Sequence, residues 1–171
     1  VDTLSRRKYT IYIKNLVTGK LMQEVIPLTT GGATWANDNK TLFYSKKDEQ
    51  TLRSNKIFKH TLGQNSVDDV NVFTEQDETF NTFVYKTKSK KYIVIGSSST
   101  LSSEYQILDA DTPNKEFKIF QPRERGLEYS IAHYETNFYI VTNKDGATNF
   151  KLMKTSQDNT SIDNWVDEIA H

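Results

Sequence analysis

Length, charge and cysteine content narrow the class of protein. The chain has 171 residues, its 22 Lys and Arg are balanced by 22 Asp and Glu, and it has no cysteine. A balanced charge gives no steering toward nucleic acid or an anionic membrane, so we expect neither as a partner. Without cysteine there is no disulfide framework, thiolate zinc site or cysteine nucleophile, and the cytoplasmic location that we expect is compatible with this.

The predicted elements are short strands rich in Ile, Val, Phe, Tyr and Thr, separated by turns of Gly, Asn, Asp, Ser and Lys. No apolar run reaches the roughly 18 residues of a transmembrane helix. In chain order the predicted strands are 10–16, 22–26, 33–36, 41–45, 57–62, 72–74, 82–86, 92–96, 105–108, 119–121, 129–133, 138–142, 150–153 and 165–169.

One type of strand recurs at a nearly constant spacing. It begins at Ile11, Ile57, Tyr105 and Phe150, which are 46, 48 and 45 residues apart, and a second type of strand follows each of them. A period of roughly 40 to 50 residues with four strands per unit is typical of propeller blades. We therefore predict an all-β fold, a partial β-propeller of about three and a half four-stranded blades.

The repeat divides the single propeller piece, residues 1–171, into blades. Residues 1–29 would supply the last two strands of one blade, and 30–76, 77–123 and 124–171 would be complete blades. The start in the middle of a blade, without an initial Met, suggests an internal piece of a longer protein. Because a blade buries its faces only against neighbouring blades, we expect this piece either to self-associate or to be marginally stable.

No motif in the sequence predicts catalysis, a cofactor or a metal. Gly96–Thr100 resembles the nucleophile elbow G-x-S-x-G but ends in threonine, and no helix follows it. His60, His133 and His171 lie far apart along the chain. Asp109–Asn114 begins like a calcium loop but has a proline where a third oxygen ligand is needed. We expect no catalytic residue, no cofactor and no metal site.

Two charged segments are candidates for contact with another domain. The first contains Arg6 and Arg7, and the second, residues 121–129, contains Arg123 and Glu128. Arginine suits an interface because its planar guanidinium binds carboxylates bidentately. The alternative is ordinary surface charge, which contributes little to stability.

Short stretches in one collinear order cover essentially the whole chain. They are Ser5–Tyr9, Trp35–Asp38, Leu42–Tyr44, Lys56–Gly63, Ser102–Tyr105, Leu108–Ala110, Pro122–Arg123, Glu128–Ser130, His133–Tyr134, Phe138–Tyr139 and Thr142–Asn143. In this order they resemble the non-catalytic N-terminal propeller of oligopeptidase B, also called protease II, in the prolyl oligopeptidase family of serine peptidases. The resemblance implies a seven-bladed propeller, of which this chain would supply about half, capping an α/β-hydrolase domain that holds the catalytic Ser, Asp and His.

The resemblance also implies a function. The propeller would filter peptide substrates by size and hinge against the catalytic domain of the same chain, its expected partner. The whole enzyme would cleave after Arg or Lys, and this piece alone would be inactive because the triad lies outside residues 1–171. Arg6 and Arg7 resemble paired arginines that help dock the two domains.

Two alternatives stay open. One is a propeller that presents its loops to a protein partner and has no peptidase domain. The other is a self-contained β-sandwich of about fourteen strands in which the repeat is a coincidence.

Overall fold

The computed structural model describes residues 1–3 and 5–169. Within that part of the chain it contains thirteen β-strands and three short 3₁₀ turns. The strands are β1 (Tyr9–Lys14), β2 (Leu21–Trp35), β3 (Thr41–Lys47), β4 (Ser54–Thr61), β5 (Val70–Thr74), β6 (Asn81–Lys86), β7 (Tyr92–Ser98), β8 (Ser103–Asp109), β9 (Lys118–Gln121), β10 (Tyr129–Tyr134), β11 (Asn137–Thr142), β12 (Lys151–Ser156) and β13 (Val166–Ile169), and the turns are Ser66–Asp68, Lys144–Gly146 and Ile162–Asn164. In the described residues no helix has the length and apolar character needed to span a membrane.

The strands form three sheets in which neighbours in sequence are neighbours in space. The first sheet has the order β1-β2-β3-β4-β5, the second β6-β7-β8-β9 and the third β10-β11-β12-β13. A four-stranded antiparallel meander is the unit of a propeller blade. The all-β prediction is confirmed, and the order of the strands is the one expected for blades.

The chain divides into two compact units, Val1–Tyr85 and Lys86–His171. The division falls at the last residues of β6. The first unit contains the whole five-stranded sheet, and the second contains strands β7 to β13.

Strand β2 is one continuous strand where the sequence predicted two, 22–26 and 33–36. Its first part pairs with β1 and its last part with β3, and Thr29 is paired with Tyr9 on one side and Lys46 on the other. The register with β3 shifts just after Thr29, and the strand changes partner around two left-handed residues, Leu28 and Gly31, with φ of 59° and 87°. The predicted blade boundary follows this residue, and the blade boundaries themselves stay a prediction.

A glycine permits this change of partner. Gly31 has a φ of 87°, and a Cβ atom on it would lie 3.2 Å from the ring of Tyr9. The left-handed backbone and the close ring both disfavour any side chain at this position. Thr29 completes the local structure, because its hydroxyl donates to the Tyr9 carbonyl and accepts from the Gly31 N–H.

Buried and exposed side chains alternate along the inner strand β10. Tyr129, Ile131 and His133 are buried, and the residues between them are exposed. This is the alternation expected of a half-buried strand, whose successive side chains point to opposite faces. The core of the second unit contains an aromatic cluster, in which the ring of Trp165 is centred 5.2 Å from that of Tyr129. Large aromatic side chains supply much apolar area to such a core.

Candidate functional site

Several charged side chains lie in, or bind to, two segments that connect one sheet to the next. Residues 75–80 join β5 to β6 and are called here the first crossover; residues 122–128 join β9 to β10 and are called the second crossover. In a propeller such connections lead from the outer strand of one blade to the inner strand of the next. The second crossover contains two of the residues predicted from the sequence, Arg123 and Glu128.

Arg123 binds Glu104 of β8 through two groups. Its backbone N–H donates to Glu104 Oε2 at 3.0 Å, and its guanidinium Nη2 lies 3.6 Å from Glu104 Oε1. The Glu104 side chain is 15% exposed. The pair therefore ties the start of the second crossover to the sheet that it leaves, and it is an ion pair within this unit of the chain.

Glu128 is held by an amide and not by an arginine. Its backbone N–H donates to Asn143 Oδ1 at 2.9 Å, and its carbonyl accepts from the Thr142 hydroxyl at 2.9 Å. The Asn143 amide nitrogen donates to the Gly126 carbonyl at 2.8 Å, so one side chain binds both ends of the Gly126–Glu128 turn. The structure thus separates Arg123 and Glu128 into two different contacts. Their predicted role between domains stays a prediction.

Tyr129 fixes the end of the second crossover, and sequence reasoning did not single out its hydroxyl. The hydroxyl donates to the Gln121 carbonyl at 3.0 Å and accepts from the Tyr105 N–H at 3.2 Å. Burial raises the pKa of Tyr129 well above its ordinary value, so the hydroxyl keeps its proton and remains a donor. Gln121 extends the network, because its Oε1 accepts from the Ile162 N–H at 2.8 Å.

Arg53 holds the first crossover, although no sequence motif marks it. One guanidinium nitrogen donates to the carbonyls of Asp77 and Phe80 at 2.9 and 2.8 Å, and the other donates to the Glu75 carbonyl at 3.3 Å. A fork of N–H donors suits several carbonyls at once. Arg53 falls in the turn after β3 and matches no motif, so only the three-dimensional structure identifies it.

Arg6 and Arg7 lie before β1 and are exposed. Their backbone N–H groups donate to the Asp2 carboxylate at 3.4 and 2.8 Å, and the Arg7 carbonyl accepts from Lys47 Nζ at 2.9 Å. Arg7 has a φ of 56°, so this short turn has a defined left-handed step. The backbone is anchored to the first sheet, and both residues are accessible to a partner, as the prediction requires.

The histidines have local partners. His60 Nδ1–H donates to Asp69 Oδ1 at 2.7 Å, and the Tyr44 hydroxyl donates to the same carboxylate at 2.8 Å. The His60 side chain is fully buried. His133 binds Ser89 through Nδ1 and the Gln157 amide oxygen through Nε2, at 2.9 and 3.2 Å.

The His60 group is closed to substrate, because its side chain has no exposed area. In the His133 group an amide stands where a Ser-His-Asp triad has its orienting carboxylate. His171 lies outside the described residues. Among the described residues no group of three or more His, Asp or Glu side chains is gathered in a way that could hold a metal.

Comparison with protein families gives one match over the whole chain. The family model described as "Prolyl oligopeptidase, N-terminal beta-propeller domain" matches residues 1–171. Among curated proteins, the dipeptidyl aminopeptidase BI of Pseudoxanthomonas mexicana is 39% identical over 170 residues, which are 99% of this chain and 23% of that protein.

Solved structures agree with the family. Oligopeptidase B from Leishmania major superimposes with a TM-score of 0.88 at 31% identity, over 96% of this chain and 23% of that one. Oligopeptidase B from Trypanosoma brucei, in a closed form with covalently bound antipain, gives a TM-score of 0.80 at 27% identity, over 87% of this chain and 21% of that one. The chain therefore spans less than a quarter of the length of these relatives, and its partial-propeller fold is confirmed.

Proposed function

Because this chain belongs to the prolyl oligopeptidase family, as part of its N-terminal β-propeller domain, we propose that it is part of the gate of a larger serine peptidase. The observation that carries the proposal is the family match over residues 1–171 of a chain that spans 23% of its relative's length. In this proposal the Ser, Asp and His of acyl transfer lie in the remaining length, in a catalytic domain that is the partner of the propeller.

The gate would act by size. A peptide must pass the propeller to reach an enclosed catalytic centre, whereas a folded protein is too large to enter. Such a filter requires blades that hold their shape, and the two crossovers supply this through Arg53 in one unit and through Tyr129 and Asn143 in the other. Exposed Arg6 and Arg7 would contact the catalytic domain.

The proposed substrates are peptides cleaved after Arg or Lys, as the likeness to oligopeptidase B suggests. Relatives with different names, a dipeptidyl aminopeptidase and two oligopeptidases B, resemble this chain to a similar degree. The propeller therefore does not distinguish their activities. Cleavage specificity would then reside in the catalytic domain. We propose a cytoplasmic location for the whole enzyme.

The test uses the whole parent polypeptide and two substrates with the same Arg-containing cleavage sequence. One is a short peptide, and the other is a folded protein that displays the sequence in an exposed loop. We expect cleavage of the peptide only. An Arg53→Ala variant, with a loosened first crossover, should begin to cleave the folded substrate while its kcat/KM for the peptide is kept. Arg125→Ala, a change at an exposed position in the other crossover, is the matched control and should behave as the parent.

Equal cleavage of both substrates by the unmodified enzyme would contradict the gate. Hydrolysis of the peptide by the purified 171-residue chain alone would contradict the assignment of the triad to another domain. If the parent polypeptide lacks a G-x-S-x-G elbow, the chain is instead a propeller module that binds a protein partner.

A further inference from the structure

A buried histidine joins two sheets inside the second unit. His133 lies on β10 and is 5% exposed. Its Nδ1 lies 2.9 Å from Ser89 Oγ, in the loop before β7, and its Nε2 lies 3.2 Å from Gln157 Oε1, in the loop after β12. Lys91, from the same loop as Ser89, donates to the same Gln157 oxygen at 2.7 Å. The imidazole therefore lies at the centre of the contact between these loops.

The hydrogen-bond partners determine which ring nitrogen carries the proton. An ammonium can only donate, so the Gln157 atom that faces Lys91 must be the amide oxygen. That oxygen can only accept, so His133 must carry its proton on Nε2. Nδ1 is then an acceptor, and the Ser89 hydroxyl must donate to it. The Ser89 oxygen in turn lies 2.9 Å from the Thr87 hydroxyl, which can donate to it.

The surroundings oppose a second proton on the ring. Burial lowers the pKa of His133, and the Lys91 ammonium lowers it further, while the hydrogen bond to Gln157 acts in the opposite direction. The rings of Tyr92 and Phe138 lie edge-on at 4.9 Å and supply no counter-charge.

Two carboxylates belong to the same neighbourhood. Burial is the larger cause of the raised pKa of Tyr92, and the negative charges of Asp109 and Asp158 raise it further. Lys91 is the charged group that acts on the imidazole itself. The charged group that acts on the imidazole therefore repels an imidazolium.

We propose that His133 is an acid-sensitive latch, which joins the loop of residues 87–91 to the sheet β10–β13 when neutral and releases it when protonated. Protonation places a hydrogen on Nδ1, where the Ser89 hydrogen now points, so Ser89 must turn its hydrogen away. It also places two cations, the imidazolium and Lys91, on the one Gln157 oxygen. Both changes weaken the contact between the loop of residues 87–91 and the sheet β10–β13.

The direction of the pH dependence follows from the lowered pKa. In the unfolded or released chain His133 takes up a proton near its ordinary value of 6.5, and in the latched state it does so only at lower pH. Between those two values the released state binds more protons, so acidification favours release. Latching is complete above the ordinary value and is lost as the pH falls through the lowered one.

The first experiment is a proton-detected NMR titration of the His133 ring in the 171-residue chain. We expect the Nε2–H tautomer at neutral pH and a midpoint below that of the exposed imidazole in an unfolded peptide of the same sequence. An Nδ1–H tautomer, or a midpoint at or above that of the peptide, would overturn the proposal.

Variants separate the latch from ordinary packing. Lys91→Met removes the charge that repels the imidazolium and should raise the midpoint of the His133 titration. Lys90→Met, which removes the neighbouring lysine of the same loop, is the control and should leave the midpoint unchanged. His133→Gln keeps a donor and an acceptor but cannot titrate. In the unmodified chain we expect the amide exchange of residues 87–92, corrected for intrinsic rates, to accelerate between about pH 7 and about pH 5. In the His133→Gln variant this acceleration should be absent. The same acceleration in His133→Gln would rule the latch out.

Discussion

The two crossovers perform the same topological task with different chemistry. In the first, the Arg53 guanidinium donates to three backbone carbonyls of residues 75–80. In the second, several side chains share the work: Tyr129 binds across the crossover, Asn143 binds its end and Glu104 binds its start. One side chain thus binds three carbonyls of the first crossover, whereas the contacts of the second crossover are divided among Tyr129, Asn143, Glu104 and Thr142.

This difference predicts how each crossover fails. Loss of Arg53 should loosen the first crossover at three carbonyls at once, because one guanidinium donates to all of them. Loss of one residue should release the second crossover only in part. Substitutions at Arg53, Tyr129, Asn143 and Glu104 should therefore have graded effects, and each can be measured by urea unfolding together with amide exchange in the affected segment.

Arg53→Ala should have the largest effect. Three carbonyls lose a charged donor, and hydrogen bonds to charged groups contribute about 1.5–3 kcal/mol each when well formed, so we expect a loss of about 3 kcal/mol after allowance for partial exposure. Amide exchange at Phe80, whose N–H donates to the Asp77 carbonyl at 3.1 Å, should accelerate most.

Two further variants sharpen this prediction. Arg53→Lys keeps the charge but replaces the planar fork by a single ammonium, so it should recover only a minority of the lost stability. Arg125→Ala, at an exposed position, should change the stability by no more than about 0.5 kcal/mol. If Arg53→Ala behaves like Arg125→Ala, the first crossover does not depend on the arginine.

Tyr129→Phe should have the next largest effect. The change removes a buried hydroxyl and leaves the Tyr105 N–H and the Gln121 carbonyl without that partner, which costs about 2 kcal/mol. The ring and its contact with Trp165 are kept, so the loss reports on the hydrogen bonds alone. Tyr134→Phe on the same strand is the control, because Tyr134 is exposed and should be neutral. Equal stability of Tyr129→Phe and the unmodified chain would mean that the aromatic packing suffices.

The repeat in the sequence predicted strands well and predicted their anchors poorly. Period-two patterns and a spacing near 47 depend on burial, which every blade needs, so most strands lie where the sequence placed them. Strand β2 is the exception, since its partner changes near Thr29 and Gly31 without the strand ending, where the sequence predicted two strands.

The side chains that bind the crossovers could not be predicted from the repeat, because they differ from one blade to the next. Arg53 follows β3 and Asn143 follows β11, yet Arg53 donates charged hydrogen bonds and Asn143 offers an amide. The sequence did place Arg123 and Glu128 in one charged segment. Because residues close in sequence can point to different strands, it could not show that Arg123 binds Glu104 and Glu128 binds Asn143.

Asn143→Ala should cost less than Tyr129→Phe. The two hydrogen bonds from Asn143 to the Gly126–Glu128 turn lie nearer to solvent, so water can replace them, and we expect a loss of about 1 kcal/mol. Asn143→Asp is a sharper variant, because it keeps the acceptor for the Glu128 N–H, removes the donor to Gly126 and adds a negative charge beside Glu128. It should be at least as unstable as Asn143→Ala at neutral pH, and a more stable Asn143→Asp would show that the donor is dispensable.

Glu104→Gln should have the smallest effect and separates the two parts of the Arg123 contact. The amide oxygen can still accept from the Arg123 N–H, whereas the attraction to the guanidinium is lost. Because that ion pair is 3.6 Å long and partly exposed, its loss should cost about 0.5 kcal/mol, and the difference from the unmodified chain should shrink in high salt. Glu104→Ala removes the acceptor as well and should cost more at any salt concentration. If Glu104→Gln equals Glu104→Ala, the charge and not the backbone hydrogen bond holds the start of the second crossover, and this crossover would then resemble the first in depending on an arginine.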